Sequence, residues 1–358
     1  MKTLAVPLDL NRILSDFSDD IQKKNVRFLY SLSLLPNRKV AFHSADADGI
    51  VSAAILKTLK EFQTAIYIPL GFQELHHLEL AHFFQTLNWC AIVDLPPFNR
   101  SMMNLYCDHH QSNKTLYKNA EIVIFDESAP SAAYLLAKHY QSRLPDSLKL
   151  LADLTTITDT AGFTIASPEN IPSHILEVTR QEQAWLLDDI CRLPETSEEI
   201  LTLVQDFSSI QLQVFENEFY RKRILGLRSQ RKRSIRLAEE FETKDVVIII
   251  QGKTKFLKSA VVRRLFEKGV FITCVLFPGK IFTGISLRVN PQIPNSELAH
   301  YQVETLAQEF AGGGHPRAAG GRGPSLSATL TKIIEWTQER NFNYRVYDLR
   351  KNQKVLGM

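Results

Sequence analysis

Cysteine is scarce in this chain of 358 residues, which has four, at Cys90, Cys107, Cys191 and Cys274. They lie far apart and form no Cys-x-x-Cys pair. This spacing argues against a disulfide framework and against a structural zinc site, both of which need clustered cysteines. Isolated cysteines are instead typical of proteins in a reducing compartment.

Long apolar runs are also missing. No run approaches the ~20 residues that a membrane-spanning helix needs, and residues 1–7 lack the apolar core of a signal peptide. The chain is 44% hydrophobic and 23% charged, as is ordinary for a soluble globular protein. We therefore expect a cytoplasmic protein without a membrane partner.

A strong excess of charge of one sign is absent, since the net charge is +3. Totals alone therefore do not indicate nucleic-acid binding, and any basic surface must be local. The length predicts two or three domains, because single hydrophobic cores stop growing beyond about 250–300 residues.

Short apolar strands alternate with helical patterns over the first 165 residues, which predicts an α/β fold with a mostly parallel sheet. Acids or histidines recur where three of these strands end. Asp46 and Asp48 follow the strand predicted at 39–43, and Asp94 ends the strand at 90–94. The triplet Asp108-His109-His110 follows the strand at 104–107. Because the carboxyl ends of parallel strands meet at one sheet edge, we expect these groups to form one site.

Each of these signals has an ordinary interpretation when taken alone. Asp46 can simply cap a helix, and two adjacent histidines are usually surface or satisfied core residues. Together with Asp159, at the end of a predicted helix, they match a two-metal centre for phosphoryl transfer, whose ions lie about 3.5–4 Å apart. Mixed carboxylate and imidazole ligands favour Mn²⁺, with Mg²⁺ or Co²⁺ as alternatives.

The motifs resemble those of the DHH phosphoesterase superfamily over residues 38–163. They are His43-Ser44-Ala45-Asp46-Ala47-Asp48-Gly49, Asp94, Asp108-His109-His110 and Asp159. That superfamily includes RecJ-type single-strand exonucleases, nanoRNase/pAp phosphatases and cyclic-dinucleotide phosphodiesterases. The Asp-Ala-Asp-Gly loop resembles the RecJ-type branch.

The resemblance implies six ligands for two divalent ions, with Asp94 bridging: His43, Asp46, Asp48, Asp94, His109 and Asp159. It implies that His110 faces the scissile phosphate and that Asp108 orients the neighbouring histidine from behind. An expected loss of activity in Asp94→Ala follows from these roles.

A glycine-rich stretch near the C-terminus, Gly312-Gly313-Gly314-His315, would let backbone N–H groups approach an anion closely. It resembles the signature of the DHH-associated C-terminal domain, and by the same resemblance Arg288 is a phosphate contact. We expect a catalytic domain over 1–165, a helical connector over 166–243 and a smaller α/β substrate-binding domain over 244–358. The active site is expected in the cleft between the two α/β domains.

A run of eight basic residues occupies positions 221–236 of the connector, within a helix predicted from Ile200 to Phe241. Such a run is either a solvated helix face or a surface that follows a phosphate backbone. Aromatic residues for base stacking are nearly absent from it, Tyr220 being the nearest.

These patterns predict a manganese-dependent phosphodiesterase that hydrolyses short or single-stranded nucleic acid from an end. An alternative within the same chemistry is a nanoRNase/pAp phosphatase or cyclic-dinucleotide phosphodiesterase that acts on small nucleotides. An alternative of another class is a non-catalytic scaffold on the same fold. A homodimer is compatible with each of them.

Overall fold

The computed structural model describes residues 9–17, 20–35, 39–71, 74, 77–84, 89–97, 103–114, 120–160, 162–168, 170–252, 256–279, 282–294, 296–350 and 353–355. The chain forms two compact units, Met1–Arg228 and Ser229–Met358. Helices of residues 166–228 pack into the same core as the preceding α/β elements, so they belong to the first unit. Among the described residues, no helix is long and apolar enough to cross a membrane.

The first unit is built on a parallel sheet of five strands in the order β2-β1-β3-β4-β5. The strands are β1 (Val40–Ser44), β2 (Ile66–Leu70), β3 (Trp89–Val93), β4 (Met103–Asp108) and β5 (Ala120–Phe125). β1 and β3 are buried at every position, as expected for apolar strands covered by helices on both faces. The predicted α/β fold with a parallel first sheet is confirmed.

Helices cover both faces of this sheet. They are α1 (Leu10–Asp16), α2 (Asp20–Ser33), α3 (Ala47–Thr58), α4 (Leu78–Phe84), α5 (Ala132–His139), α6 (Asp146–Asp159), α7 (Arg180–Cys191), α8 (Ser197–Ser209) and α9 (Glu218–Glu239). Alternate strand positions face the two helical layers. Ala41 packs in the core that includes α3 and α5 to α9, whereas Phe42 packs in the core of α1, α2 and α4.

Two of the long predicted helices are interrupted, so those predictions were wrong. Apolar residues at helical spacing over residues 8–34 predict a single helix, but the structure divides it into α1 and α2, because the backbone at Phe17 is extended. The expected helix from Ile200 to Phe241 is divided into α8, a 3₁₀ segment (Gln211–Glu216) and α9. Gln211 has a φ of 53°, which an α-helix cannot accommodate. Apolar periodicity continued across both breaks and concealed them.

The second unit contains a mixed sheet of seven strands in the order β12-β11-β6-β7-β8-β10-β9. The strands are β6 (Val246–Ile250), β7 (Ile272–Pro278), β8 (Thr283–Val289), β9 (Gly313–His315), β10 (Ala318–Gly323), β11 (Tyr344–Asp348) and β12 (Gln353–Val355). The helices are α10 (Lys258–Glu267), α11 (Leu298–Tyr301), α12 (Val303–Gln308) and α13 (Leu326–Glu339). Strand-like segments at 271–277 and 281–288, separated by Pro278-Gly279, predict a hairpin, and the antiparallel pairing of β7 with β8 confirms it. The sequence also predicts one helix from Glu297 to Phe310, but the structure splits it at Gln302 into α11 and α12.

Its three glycines predict a loop for the stretch Gly312–His315, but residues 313–315 of it form an edge strand. Residues Gly313–His315 form β9, which pairs antiparallel with β10 and brings Gly313 opposite Gly320. An added Cβ at Gly312 would come within 1.9 Å of the Gly320 carbonyl oxygen, whereas one at Gly313 would meet open space. The close approach of the backbone at residue 312 to β10 therefore requires Gly312, whereas Gly313 is not needed for it. The side chain of His315 lies outside the described part of the structure.

We predict that Gly312→Ala and Gly313→Ala differ sharply in stability. The first substitution forces a methyl group into the backbone of β10 and should lower the free energy of unfolding by about 1–3 kcal/mol. The second, one residue away in the same motif, should change it by less than about 0.5 kcal/mol. Chemical denaturation of both variants measures the difference, and equal stabilities would contradict the close approach.

Candidate metal centre

Three neighbouring strands of the first sheet, β1, β3 and β4, end at the same edge and carry the predicted site residues there. Asp46 and Asp48 lie between β1 and α3, Asp94 follows β3, and the Asp108-His109-His110 triplet begins with the last residue of β4. Asp159 arrives from a different direction, as the last residue of α6. The structure thus places these strand-end residues at one edge of the sheet, as parallel strands do.

The first acidic loop places its two carboxylates in different roles. Asp46 caps α3 by accepting a hydrogen bond from the backbone N–H of Gly49 (3.1 Å). Asp48 is buried, and its two oxygens accept the backbone N–H groups of Ala132 (2.7 Å) and Ala133 (2.8 Å) at the start of α5. A helix N-terminus stabilises negative charge, so α5 holds the Asp48 carboxylate in place.

His109 is oriented with one ring nitrogen toward the carboxylates. Its Nδ1 lies 3.1 Å from the carbonyl oxygen of Ala129, and since a carbonyl only accepts, Nδ1 carries the hydrogen. In the neutral ring the lone pair is then on Nε2. Nε2 lies 3.7 Å from Asp48 Oδ2, 3.7 Å from Asp94 Oδ1 and 3.4 Å from Asp159 Oδ2.

The carboxylates around His109 crowd one another. Burial, reinforced by the neighbouring acids, raises the pKa of Asp48 and of Asp94 well above the ordinary value. Burial and the charge of Asp46 raise the pKa of Asp159 to about 7. A cation among these groups would relieve the repulsion and favour their ionised forms.

Asp94 links the two acidic strand ends. The Ser44 hydroxyl lies 2.6 Å from Asp46 Oδ1 and 2.6 Å from Asp94 Oδ2, but it has only one hydrogen to share between them. The other oxygen, Asp94 Oδ1, is buried and has no hydrogen-bond partner among the described residues. Asp94 also has a φ of 54°, a left-handed conformation that Asp tolerates better than most residues.

The donor atoms converge closely enough to hold divalent ions. One group consists of Asp94, Asp108, His109 and His110, and the other of Asp48, His109 and Asp159. Within each group the donor atoms all lie within 4.8 Å of one another. An orphaned buried oxygen, an imidazole lone pair and crowded carboxylates together fit a hard or borderline divalent cation such as Mn²⁺.

Asp108 already has its oxygens engaged. Its Oδ1 accepts the backbone N–H groups of His109 (2.8 Å) and His110 (3.1 Å) and the ring Nδ1–H of His110 (2.8 Å). Its Oδ2 accepts Tyr106 Oη–H (2.7 Å) and Asn113 Nδ2–H (2.6 Å). Burial raises the pKa of Asp108, but the hydrogen bonds from His110, Asn113 and Tyr106 outweigh it, so the pKa lies below its usual value. Asp108 is thus built to orient the histidine ring.

His43 lies inside the sheet and in neither group of donors. Its Nδ1 is 2.7 Å from the Ser44 carbonyl oxygen, and burial lowers its pKa to about 4, so the ring is neutral. Its Nε2 has no hydrogen-bond partner in the part of the chain that the structure describes. A neutral ring with an unengaged nitrogen is compatible with the predicted ligand role, which stays a prediction.

Sequence reasoning missed three side chains that support the site, Ser44, Tyr106 and Asn113. Tyr106 precedes Asp108 by two residues on β4, so strand alternation alone would have placed both on one face. Ser44 stands within the first motif. Asn113 had no sequence signal, because it reaches Asp108 only through the short 3₁₀ turn Gln111–Asn113.

The predicted substrate contacts Arg288, Gly312, Gly313, Gly314 and His315 all belong to the second unit. Arg288 lies in β8, where its Nη1 donates to the Leu287 carbonyl oxygen (2.8 Å), and burial lowers its pKa. The binding roles of these five residues stay predictions.

Several residues of the basic run are engaged inside the first unit. Arg221 donates to the Pro172 carbonyl oxygen (2.7 Å), and Arg223 donates to the Leu193 carbonyl oxygen (2.6 Å). Arg228 forms a buried ion pair with Asp189. The exposed basic residues of the run are Lys222, Lys232, Arg233 and Arg236. Both interpretations of the run, as a solvated or a phosphate-binding face, overlooked this internal use.

No protein-family model and no curated protein matches the sequence. Among solved structures, the chain is similar to the pGpG-specific phosphodiesterase PggH from Vibrio cholerae, at 15% identity and a TM-score of 0.56, over 85% of this chain and 99% of that one. It is similar to exonuclease RecJ bound to manganese, at 15% identity and a TM-score of 0.52, over 95% and 96% of the two chains.

It is also similar to RecJ in complex with Mn²⁺ from Thermus thermophilus, at 15% identity and a TM-score of 0.54. That match covers 96% of this chain but 57% of the Thermus chain. At this level of identity the likeness establishes the fold. The chain therefore has the fold of the PggH and RecJ structures, which confirms the fold that the resemblance in the sequence implied.

Proposed function

We propose that this chain is a divalent-metal-dependent phosphoesterase that hydrolyses short or single-stranded nucleic acid from an end. The observation that carries the proposal is the arrangement around His109, whose Nε2 lone pair faces carboxylate oxygens of Asp48, Asp94 and Asp159. Such a donor set is complementary to a cation, and the superfamily fold supports phosphoester chemistry at it. The same donor set disfavours a non-catalytic scaffold.

The proposed metal centre holds two ions, Mn²⁺ foremost, on Asp46, Asp48, Asp94, His109 and Asp159, with His43 as a sixth ligand. Divalent ions at such a centre neutralise charge on a phosphoryl group and activate water for attack on phosphorus. The four buried cysteines are free, in keeping with the cytoplasmic location that the proposal includes.

His110 is the residue we assign to the reacting phosphate. Asp108 fixes its Nδ1, so the opposite nitrogen, Nε2, is the one that would contact a phosphate oxygen or the leaving group. Its ring is about one-third exposed, which allows a substrate to reach it. Tyr106 and Asn113 hold Asp108, and thereby the ring, in position.

A second candidate substrate is a dinucleotide or another small nucleotide. It is favoured by the internal use of Arg221, Arg223 and Arg228, which leaves fewer cations to follow a polymer backbone. The similar Vibrio cholerae protein is a pGpG-specific phosphodiesterase, and this chain covers 99% of it. The chemistry at the metal centre is the same for both candidates.

We test the proposal by incubating the full chain and Mn²⁺ with end-labelled oligonucleotides of two to twenty nucleotides, pAp and cyclic dinucleotides. Release of mononucleotides from the longer single strands is expected. Hydrolysis confined to dinucleotides or pAp would establish the second candidate. Failure to hydrolyse any of them, with metal bound, would contradict the proposed activity.

We predict that Asp94→Asn removes at least about 100-fold of kcat/KM, more than the 10–100-fold typical of residues behind the ligands. Asn keeps the side-chain volume and tolerates the left-handed backbone at this position. The loss therefore reports on the missing negative charge. The matched control is Asp146→Asn, an exposed acid at the opposite end of α6 from Asp159 that lies outside both donor groups. Equal activities of the two variants would contradict the ligand role of Asp94.

We predict that Asp108→Asn lowers kcat/KM or Mn²⁺ affinity by about 10–100-fold. The Asn amide has only one oxygen, so its NH₂ group must face either the Tyr106 and Asn113 donors or the His110 donor. Two donors that face each other form no hydrogen bond. Tyr106→Phe removes one of the two side-chain donors to Asp108 Oδ2 and should cost about 10-fold or less. Steady-state kinetics and Mn²⁺ titration of both variants measure the order. An unimpaired Asp108→Asn enzyme would show that the ring needs no support.

We predict that the salt dependence of KM separates the two substrate classes. For single strands, the logarithm of affinity falls with the logarithm of salt by about 0.7 for each phosphate contacted. An enzyme that follows a polymer should show a slope of about 2 or steeper with a twelve-nucleotide strand. Replacing the exposed Lys232, Arg233 and Arg236 by Gln should make that slope shallower. A slope equal for dinucleotide and twelve-nucleotide substrates would exclude polymer tracking.

A further inference from the structure

Two of the proposed ligands, His109 and Asp48, are held by the short connection between β5 and α5. The carbonyl oxygen of Ala129 accepts a hydrogen bond from the ring of His109 (3.1 Å). The backbone N–H groups of Ala132 (2.7 Å) and Ala133 (2.8 Å) donate to the carboxylate of Asp48. Any movement of this connection therefore moves both ligands.

A third proposed ligand, Asp159, is reached from the same connection through a pair of hydroxyl groups. The Oγ of Ser131 lies 2.7 Å from the Oγ1 of Thr155 in α6, and both residues are fully buried. Thr155 precedes Asp159 by about one helical turn, so the two side chains lie on the same face of α6. The hydroxyl pair thus joins the start of α5 to the face of α6 that carries this ligand.

The contacts of the two hydroxyl groups determine which one donates to the other. The Thr155 hydroxyl lies 2.7 Å from the carbonyl oxygen of Ala152, and since a carbonyl only accepts, Thr155 donates there. The Thr155 oxygen is then the acceptor for the Ser131 hydroxyl. The Ser131 oxygen in turn accepts the backbone N–H of Tyr134 (3.1 Å) and so caps α5. The hydrogen bond between the two helices therefore runs from Ser131 to Thr155.

The connection contacts one of the two groups of donor atoms more completely than the other. The Asp48 group consists of Asp48, His109 and Asp159, and the Asp94 group consists of Asp94, Asp108, His109 and His110. Every member of the Asp48 group is reached through the contacts just described. The Asp94 group shares His109 but takes its other members from the ends of β3 and β4.

We propose that Thr155 is a positioning residue for one of the two ions, the ion of the Asp48 group. This inference rests on the metal centre proposed above. By accepting the Ser131 hydroxyl, Thr155 fixes the start of α5 to α6. The connection then holds His109 and the Asp48 carboxylate at a set distance from Asp159. The ion of the Asp94 group depends mainly on the strand ends, so it is much less sensitive to this hydrogen bond.

Thr155→Val tests this role, because valine has nearly the shape of threonine and lacks the hydroxyl. The Ser131 hydroxyl then loses its acceptor, while the Ser131 oxygen keeps its capping contact with Tyr134. We expect the affinity for one Mn²⁺ ion to fall by about 10-fold or more, as for other groups that hold metal ligands in place. The affinity for the other ion should stay unchanged. Equilibrium dialysis of the chelator-treated full chain against Mn²⁺ measures both affinities without any turnover.

Thr156→Val is the matched control on the same helix. The Thr156 hydroxyl donates to the Asp153 carbonyl oxygen (2.7 Å), just as Thr155 donates to that of Ala152 (2.7 Å). It lies about 100° around the helix from Thr155. Both Mn²⁺ affinities of this variant should match those of the wild type.

Thr155→Ser separates a hydrogen-bonding role from a packing role. Serine restores the acceptor for Ser131 and lacks the methyl group of threonine. Recovery of most of the lost affinity is therefore expected. If the methyl group were what mattered, Thr155→Ser would bind Mn²⁺ no better than Thr155→Val, and the proposal would be overturned.

Ser131→Gly removes the same hydrogen bond from the donor side. Glycine is itself an acceptable N-cap residue, so α5 keeps its start, and the same selective weakening of one ion is expected. Circular dichroism establishes that each variant is folded before its affinities are compared. If Thr155→Val does not fold, Ser131→Gly and Thr155→Ser decide the proposal.

Electron paramagnetic resonance provides a second readout. At Mn²⁺ concentrations that fill both sites of the wild type, the Thr155→Val spectrum should be dominated by a single uncoupled ion. Two ions bound with wild-type affinities in Thr155→Val, or equal weakening of both, would overturn the role of Thr155 and leave the metal centre in place. A wild-type chain that binds no Mn²⁺ would instead overturn the metal centre, and this proposal with it.

Discussion

The hydrogen bond from His109 Nδ1 to the Ala129 carbonyl oxygen decides what the acidic centre can do. It leaves the Nε2 lone pair directed at three carboxylates, so the centre attracts a cation. Ala129 lies between β5 and α5, and the first residues of α5 donate both hydrogen bonds that hold Asp48. One short connection therefore positions a histidine and a carboxylate from two different motifs.

The connection between β5 and α5 also contacts the helix that carries Asp159. Ser131 caps α5, and its hydroxyl lies 2.7 Å from the hydroxyl of Thr155 in α6, the helix that ends at Asp159. Polar contacts within the fold thus link β4, α3, α5 and α6 around one point. These hydrogen bonds hold the carboxylates close together although their charges repel one another.

The strand ends that carry Asp46, Asp94 and Asp108 could be predicted from apolar periodicity, because parallel strands gather their carboxyl ends. The part played by residues 129–133 could not, since they act through backbone N–H and C=O groups that every residue possesses. The break at Gln211 was hidden because apolar periodicity continued through it. The engaged arginines of α9 were also unpredictable, because their partners, such as Asp189, are distant in sequence.

The glycine-rich motif has a packing role of its own, whatever it binds. Gly312 is required where two backbones approach closely, which is a structural reason independent of any ligand. A substrate role for the same stretch is compatible with this, because an edge strand exposes backbone N–H groups on one side. The sequence motif alone does not distinguish the packing role of these glycines from a role in substrate binding.

Mn²⁺ titration of the chelator-treated full chain tests whether the carboxylates around His109 form a two-metal centre. Equilibrium dialysis gives the number of bound ions, and electron paramagnetic resonance reports whether they lie close together. We expect two ions per chain whose signals show magnetic coupling, since ions at such a centre lie about 3.5–4 Å apart. A chain that binds no Mn²⁺ stoichiometrically, or binds ions without coupling, would contradict the two-metal centre.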